Sequence, residues 1–156
     1  MAEPVARSGA LSPYLTVNGA AAAIDFYRAA FGARELFRLT GPDGRIGHAE
    51  LRIGDAIVML SDEWPDFGAL SPPAIGGSPV KLHLYVDDCD AVVARAVAAG
   101  ATLMRPVTDQ FYGDRSGMIA DPFGHSWFVA TLKEQVAPEE MQRRWDAAMG
   151  STAGAA

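Results

Sequence analysis

The stretch PVKLHLYVDDCDAVVARAVAAGA, residues 79–101, repeats the plan of an earlier stretch, LSPYLTVNGAAAAIDFYRAAFGA, residues 11–33. Each copy begins with alternating apolar residues that predict a strand, continues through a polar turn into an Ala-rich helix, and ends on Gly-Ala. We expect Asn18 to cap the first helix and Gly32 to end it in the left-handed conformation. In the second copy, Asp87 or Asp88 is the predicted cap.

Three further strand-like segments follow each helix. They are ARELFRLT, RIGHAELRIG and DAIVMLSD after the first helix, and segments around ATLMRPV, RSGMIAD and HSWFVATL after the second. The same offset of 69 residues separates Tyr14 from His83 and Val17 from Val86. This internal repeat predicts an α+β fold of two tandem βαβββ modules that form curved mixed sheets around a cavity.

Composition changes along the chain predict six segments. The Pro- and Gly-rich stretch between the copies reads as a linker, and the run from Pro138 to Gly150 reads as a helix with a start and a stop signal. The predicted segments are an N-terminal tail (1–11), a first module (12–63), a linker (64–79), a second module (80–133), a C-terminal helix (134–150) and a disordered tail (151–156).

The charge balance argues against a nucleic-acid partner. The net charge is -6 and the pI is near 4.9, and the chain has no run of Lys and Arg of the kind that phosphate binding requires. No apolar run of about 18 residues and no secretory leader are present, so we expect no membrane partner and a cytoplasmic location.

The two copies and the segments after them resemble the vicinal oxygen chelate superfamily, which includes glyoxalase I, bleomycin-resistance proteins, fosfomycin-resistance enzymes and extradiol dioxygenases. The glyoxalase-like and bleomycin-resistance-like branch is the most similar. The matching residues, which cover most of residues 12–132, are PYLTVNGAAAAIDFYRAAFGA, GHAELRIGDAIVMLSDE, LHLYVDDCDAVVARAVAAGA and YGDRSGMIADPFGHSWFVATL.

The resemblance implies sheets with helices on the convex side and a small-molecule cavity on the concave side, in a protein that forms homodimers. Strand alternation agrees, because it directs Leu15, Val17, Leu82, Leu84 and Val86 toward the helices. Trp127 has the same helix-facing parity, and His125 is expected to bond backbone at the strand entrance. The side chains predicted to contact a ligand are Tyr14, Thr16, His48, Glu50, Arg52, His83, Tyr85, Arg115 and Phe128.

In metal-using members of the superfamily, a histidine near the start of each module's first strand and a glutamate in its last strand hold the ion. The residues at those positions in this chain are Ser12, Lys81, Val58 and Phe128. These side chains do not make a divalent-metal site, so we predict no metal and no other cofactor.

A displaced metal site is the alternative. His48 and Glu50 lie two residues apart and project from one strand face together with Arg52, and His83 has the same parity in the second module. A cluster of His48, Glu50 and His83 is therefore geometrically conceivable. Arg52 would compete with the metal by pairing with Glu50, and we favour the metal-free alternative.

Three functions follow from these patterns. We predict a glyoxalase- or bleomycin-resistance-like protein that binds a small molecule without the usual metal and sequesters an aromatic or antibiotic-like ligand. The exchange of a carboxylate for Phe128 favours it, because stacking replaces coordination. The alternative is a metal-dependent lyase, isomerase or dioxygenase of the glyoxalase type with Glu50 as general base at the displaced site. A structural or regulatory dimer without a ligand is the third possibility.

Overall fold

The structure is a computed structural model that describes residues 3–7 and 9–153, with side chains up to residue 150. The first module consists of β1 (Tyr14–Val17), α1 (Ala20–Phe31), β2 (Arg34–Thr40), β3 (Ile46–Ile53) and β4 (Ala56–Asp62). A 3-10 turn (Pro65–Phe67) and the short helix α2 (Pro72–Ile75) occupy the connection. The second module consists of β5 (Lys81–Tyr85), α3 (Cys89–Ala98), β6 (Thr102–Asp109), β7 (Asp114–Ala120) and β8 (Ser126–Leu132), and α4 (Pro138–Ala153) follows. The predicted α+β fold with two βαβββ modules is confirmed.

Each module forms one four-stranded sheet, and the two sheets have the same strand order. The orders are β1-β4-β3-β2 and β5-β8-β7-β6, so neither sheet closes into a barrel. β1 runs parallel to β4 and β5 runs parallel to β8, whereas the other neighbours are antiparallel. Tyr14 lies opposite Met59, and His83 lies opposite Phe128. The offset of 69 residues therefore relates the sheets in space as well as in sequence.

The core lies on one face of each sheet, where α1 and α3 pack against the strands and against each other. Leu15 and Val17 are buried there, and Leu82, Leu84 and Val86 pack partly buried against the same cluster. The predicted helix-facing set is therefore confirmed. The hydrophobic side chains that drive this packing are the alternate residues of each strand, which is why the other face of each strand stays available for a site.

One carboxylate, that of Asp121, joins the two modules. It accepts hydrogen bonds from the Tyr27 hydroxyl on α1 at 2.6 Å and from the Trp127 indole at 3.0 Å. The backbone N–H groups of Phe123 and His125 donate to its other oxygen, each at 2.9 Å. Burial, together with the charge of Asp121, raises the pKa of Tyr27 well above its ordinary value. The turn before β8 therefore holds the first module as well as its own strand.

The start of α1 is capped differently from the sequence prediction. Gly19, and not Asn18, is the N-cap residue, with a φ of 102° that favours glycine. The carboxylate of Asp62, at the end of β4, accepts hydrogen bonds from the N–H groups of Gly19 and Ala20 at 3.0 and 2.7 Å. A residue far along the chain thus replaces the local cap. Asp88 does cap α3 with its own side chain, as predicted.

Both ends of the chain differ from the prediction. Residue Arg7 of the predicted tail contacts the first sheet. At the other end, α4 continues through Gly150, which does not adopt a positive φ, so residues 151–153 are helical where we predicted disorder. The rest of that tail, residues 154–156, lies outside the described residues. Among the helices that the structure describes, none has the length and apolar character needed to cross a membrane.

Candidate functional site

We call the side of each sheet that points away from α1 and α3 its open face. The strand registers place neighbouring side chains together on each face. The first open face carries Tyr14, Thr16, Phe37, His48, Glu50 and Met59, and the second carries His83, Tyr85, Asp114, Ser116, Met118 and Phe128.

A chain of hydrogen bonds crosses the first open face. The Tyr14 hydroxyl lies 2.8 Å from Nδ1 of His48, and Nε2 of the same ring lies 3.1 Å from Oε1 of Glu50. The second carboxylate oxygen of Glu50 accepts a hydrogen bond from the Arg7 guanidinium at 2.5 Å. The Phe37 ring packs beside His48, with ring centroids 5.7 Å apart. The hydrogen bonds lead from the exposed Tyr14 hydroxyl through His48 to the buried carboxylate of Glu50, and Arg7, which is 57% exposed, pairs with that carboxylate from the outside.

Glu50 stays ionised although it is buried. Its side chain is 1% exposed, and this burial opposes ionisation. The hydrogen bonds from Arg7 and His48, together with the positive charge of Arg7, outweigh burial and lower the pKa of Glu50 below its ordinary value. An ionised carboxylate only accepts hydrogen bonds, so Nε2 of His48 carries the hydrogen and Nδ1 accepts from Tyr14. Glu50 is therefore an orienting group for His48 and a poor general base.

The second open face is an aromatic surface. The rings of His83 and Phe128 stack with their centroids 5.8 Å apart and an interplanar angle of 29°. Tyr85 lies beside His83, with ring centroids 4.7 Å apart and an interplanar angle of 41°, and the residue is 59% exposed. Its hydroxyl donates to the buried carboxylate of Asp114 at 2.9 Å, which raises the pKa of Tyr85. Three adjacent rings thus offer an aromatic surface with a carboxylate at its edge.

The predicted site residues separate into two groups. Tyr14, His48 and Glu50 come together on the first open face, and His83, Tyr85 and Phe128 come together on the second. Thr16 shares the parity of Tyr14, and its carbonyl oxygen lies 3.2 Å from Nε2 of His125. His125 therefore bonds backbone, as predicted, but the carbonyl belongs to β1 of the other module and not to the entrance of β8.

One of the two predicted cations lies on the other side of its sheet, and the other has a different partner from the one predicted. Arg115 is on the helix side of β7, where its guanidinium pairs with Asp90 at 2.8 Å and Asp109 at 3.1 Å. It has the parity of the buried Ile119, which explains why it does not reach the open face. Arg52 has the open-face parity of His48 and Glu50, as predicted, but Arg7 pairs with Glu50, and Arg52 donates to the Ala6 carbonyl at 3.3 Å.

A divalent metal does not fit the side chains present. The strand register moves one predicted ligand position by a residue: Val58 is in the helix-side core, and Met59 is the residue equivalent to Phe128. With Ser12, Lys81, Met59 and Phe128, the set lacks the imidazole and carboxylate ligands that a divalent ion needs. The sequence prediction placed this ligand position one residue too early, because the loops before β4 and β8 differ in length.

The displaced cluster does not form either. His83 packs with Tyr85 and Phe128 on the second sheet, whereas the donor atoms of His48 and Glu50 are already engaged by Tyr14, by each other and by Arg7. Within residues 3–7 and 9–150, no three His, Cys, Asp or Glu side chains converge as a metal site would require. A metal at Glu50 would also have to displace the Arg7 cation.

Sequence reasoning missed three contributors to these faces. Arg7 belongs to a segment that we set aside as a tail, and no local pattern marks its contact with Glu50. Asp114 could have been found, because it alternates with Ser116 along β7 and so takes the open-face parity. Phe37 carries the open-face parity of β2, which the pairing with Glu50 makes visible only in the sheet.

Comparison with known proteins agrees with this architecture. A family model described as Glyoxalase/Bleomycin resistance protein/Dioxygenase superfamily matches residues 9–129. A Mycobacterium bovis protein without an assigned function is 48% identical over 136 residues, which are 85% of this chain and 90% of that protein. The crystal structure of an Arabidopsis thaliana gene product has a TM-score of 0.64 and 29% identity, and the match covers 78% of this chain and 98% of that one.

A further relative is the anthracycline biosynthesis protein DnrV of Streptomyces peucetius. It is 33% identical over 121 residues, which are 77% of this chain but 40% of DnrV. The similarity therefore concerns less than half of that protein.

Proposed function

This chain belongs to the Glyoxalase/Bleomycin resistance protein/Dioxygenase superfamily, and we propose that it binds a planar aromatic small molecule against its second open face without a metal ion. The observation that carries this proposal is the stack of His83 on Phe128 with Tyr85 beside it. Phe128 occupies a strand position at which metal-using members have a carboxylate ligand. The side chain there can stack on a ring but cannot coordinate an ion.

The relative DnrV suggests a ligand class for the first test. It is named for anthracycline biosynthesis, and an anthracycline has a planar fused-ring chromophore and an amino sugar. The planar part matches the three rings, and the carboxylate of Asp114 and the net charge of -6 favour a cationic ligand over an anionic one. We therefore propose an antibiotic-like aromatic cation as the ligand.

The experiment is a titration with daunorubicin, followed by quenching of its own fluorescence. Phe128→Ala removes one ring of the stack, and we expect it to weaken binding roughly tenfold, which corresponds to about 1.4 kcal/mol. Phe67→Ala removes an exposed ring from the connection between the modules, outside both open faces, and is the control, so its affinity should equal that of the wild type. Equal affinities of the wild type and Phe128→Ala would contradict the proposal.

The metal-dependent alternative has its own assay. Zn²⁺, Ni²⁺, Mn²⁺ or Fe²⁺ at 100 times a dissociation constant would stabilise the protein by roughly 2.7 kcal/mol. We expect no change in melting temperature on addition of any of the four. An increase that disappears in Glu50→Gln would support the displaced metal site instead.

We also propose a homodimer in the cytoplasm, and the exposed hydrophobic side chains of the open faces are the observation that favours the dimer. Tyr14 and Leu39 on the first face are 51% and 59% exposed, and Tyr85 on the second is 59% exposed. A second copy placed against these faces would enclose a ligand that one chain leaves open to water. Light scattering after size exclusion should then give twice the chain mass of 16.5 kDa; a mass of one chain with and without daunorubicin would refute the dimer.

A further inference from the structure

The hydrogen-bonded side chains of Tyr14, His48 and Glu50 have the arrangement of an activated nucleophile. An activated hydroxyl needs a base within hydrogen-bond reach and a third group that orients the base. Nδ1 of His48 lies 2.8 Å from the Tyr14 hydroxyl, and Oε1 of Glu50 holds Nε2 from the other side. Arg7 in turn fixes the carboxylate of Glu50. The components and their order are those of a nucleophile, base and acid triad, with a phenol in place of an alcohol.

The exposed fraction of the side chains increases along this series of hydrogen bonds, from Glu50 to Tyr14. Glu50 is 1% exposed and His48 is 24% exposed, whereas Tyr14 is 51% exposed. The orienting carboxylate of Glu50 is thus inside the protein, and Tyr14 lies on the open face of the sheet. A phenol is also a stronger acid than a serine hydroxyl, so an imidazole removes its proton more readily.

The second module shows that the fold does not need this chain of hydrogen bonds. The positions equivalent to Tyr14, His48 and Glu50 are His83, Ser116 and Met118, as the pairing of Glu50 with Met59 and of Met118 with Phe128 establishes. The second sheet has the same strands and pairings without a buried carboxylate at that place. The strand pairing therefore does not by itself require the set on the first sheet.

We propose that Tyr14 is a nucleophile for acyl transfer from activated aryl esters, with His48 as its base and Glu50 as a positioning residue. The Tyr14 oxygen bonds to the ester carbonyl carbon while its proton passes to Nδ1 of His48, and the bond to the aryloxide breaks. The aryloxide leaves with that proton. Water then adds to the acyl carbon and gives one proton to His48. The acyl–Tyr14 bond breaks, and His48 returns the proton to the phenolate, so the products are a phenol and a carboxylic acid.

The Phe37 ring beside His48 suits the aryl part of such an ester, because the two ring centroids are 5.7 Å apart on the same open face. This inference does not depend on the ligand proposed for the second face.

The test uses p-nitrophenyl acetate and the full-length protein. We expect a burst of p-nitrophenolate equal to the protein concentration, and peptide mass analysis should place the acetyl group on Tyr14. Tyr14→Phe should abolish both signals, and His48→Gln should slow acetylation by a factor of about 100. Tyr112→Phe is the matched control and should react like the wild type, since its hydroxyl lies 3.5 Å from Ser116 and not beside a histidine.

Tyr85 separates activation from simple exposure. It is more exposed than Tyr14, at 59% against 51%, and its hydroxyl meets a carboxylate in place of an imidazole. Equal acetylation of the two tyrosines would overturn the proposal, as would an unchanged rate in His48→Gln or no acetyl group on Tyr14.

Glu50 is tested by a property that a purely structural role would not change. Nitrogen-15 shifts of His48 should show hydrogen on Nε2 in the wild type and a mixture of tautomers in Glu50→Gln, with acetylation about tenfold slower. A single tautomer and an unchanged rate in Glu50→Gln would remove Glu50 from the proposal. If that variant does not fold, the rates of Tyr14→Phe and His48→Gln still decide it.

Discussion

Replacement of Asp121 by alanine should destabilise the whole protein, because one carboxylate serves four donors at the junction of the modules. The Tyr27 hydroxyl and the Trp127 indole N–H stay buried and lose their partner. Each unsatisfied buried donor costs about 1–3 kcal/mol. We therefore expect Asp121→Ala to lower the free energy of unfolding by about 4 kcal/mol, a large part of the roughly 5–15 kcal/mol of a typical domain.

A double-mutant cycle with Tyr27→Phe isolates the contact between the modules. Alone, Tyr27→Phe removes one hydrogen bond but leaves Asp121 with three donors, so it should cost about 1 kcal/mol. In the Asp121→Ala background the hydroxyl is already unsatisfied, and its removal should cost nothing or restore some stability. The interaction energy of the pair is then at least about 1 kcal/mol.

The assay is urea denaturation followed by both circular dichroism and tryptophan fluorescence, with the free energy obtained by linear extrapolation. Coincident transitions would show that the modules unfold together. A loss below about 1 kcal/mol in Asp121→Ala, or an equal cost of Tyr27→Phe in both backgrounds, would refute the role given to this carboxylate.

Three further predictions concern other contacts. Gly113→Ala should lower the free energy of unfolding by at least about 2 kcal/mol, because the new Cβ would lie 2.1 Å from the carbonyl oxygen of Glu134 at a φ of 101°. Gly44→Ala is the control: its φ is 84° but the space around it is open, so it should lower the same quantity by only about 1 kcal/mol in the urea assay. Glu50→Gln should make the free energy of unfolding less dependent on pH in acid. A carboxyl whose pKa is lowered on folding stabilises fully above about pH 4.3 and loses that contribution as the pH falls through its folded pKa. Between pH 5 and about 3, the free energy of unfolding of the wild type should therefore fall more than that of the variant. Arg144→Ala should speed proteolysis before α4, because its guanidinium holds the Phe111 carbonyl and Glu134; an unchanged cleavage rate would show that other contacts dock the helix.

Local patterns were sufficient where the physical cause is local. The alternation of Leu15 and Val17 with Tyr14 predicts which face of β1 is buried, because successive side chains of a strand point to opposite sides. Gly32 ends α1 in the left-handed conformation as predicted, because only glycine adopts it without steric cost. The same reasoning located Tyr14, His48 and Glu50 on one side of the first sheet.

The incorrect predictions concern contacts between residues that are far apart in sequence. Asp62 caps α1 from the end of β4, and no signal near Asn18 could reveal a cap that arrives through a parallel strand. Met59, and not Val58, lies opposite Tyr14, because register is set by pairing and by the length of the preceding loop, which counting from a glycine does not capture.

By itself, the sequence determined the repeated βαβββ plan, the family and the buried face of each strand, because hydrophobic alternation and turn residues act within a few positions of the chain. Only the tertiary structure decided that His48 is held between Tyr14 and Glu50 while His83 stacks on Phe128, since the two histidines lie on different sheets. It also decided that Arg7 neutralises Glu50. Hydrogen bonds and ion pairs depend on distances between side chains that are far apart in sequence, and those distances exist only after the strands have paired.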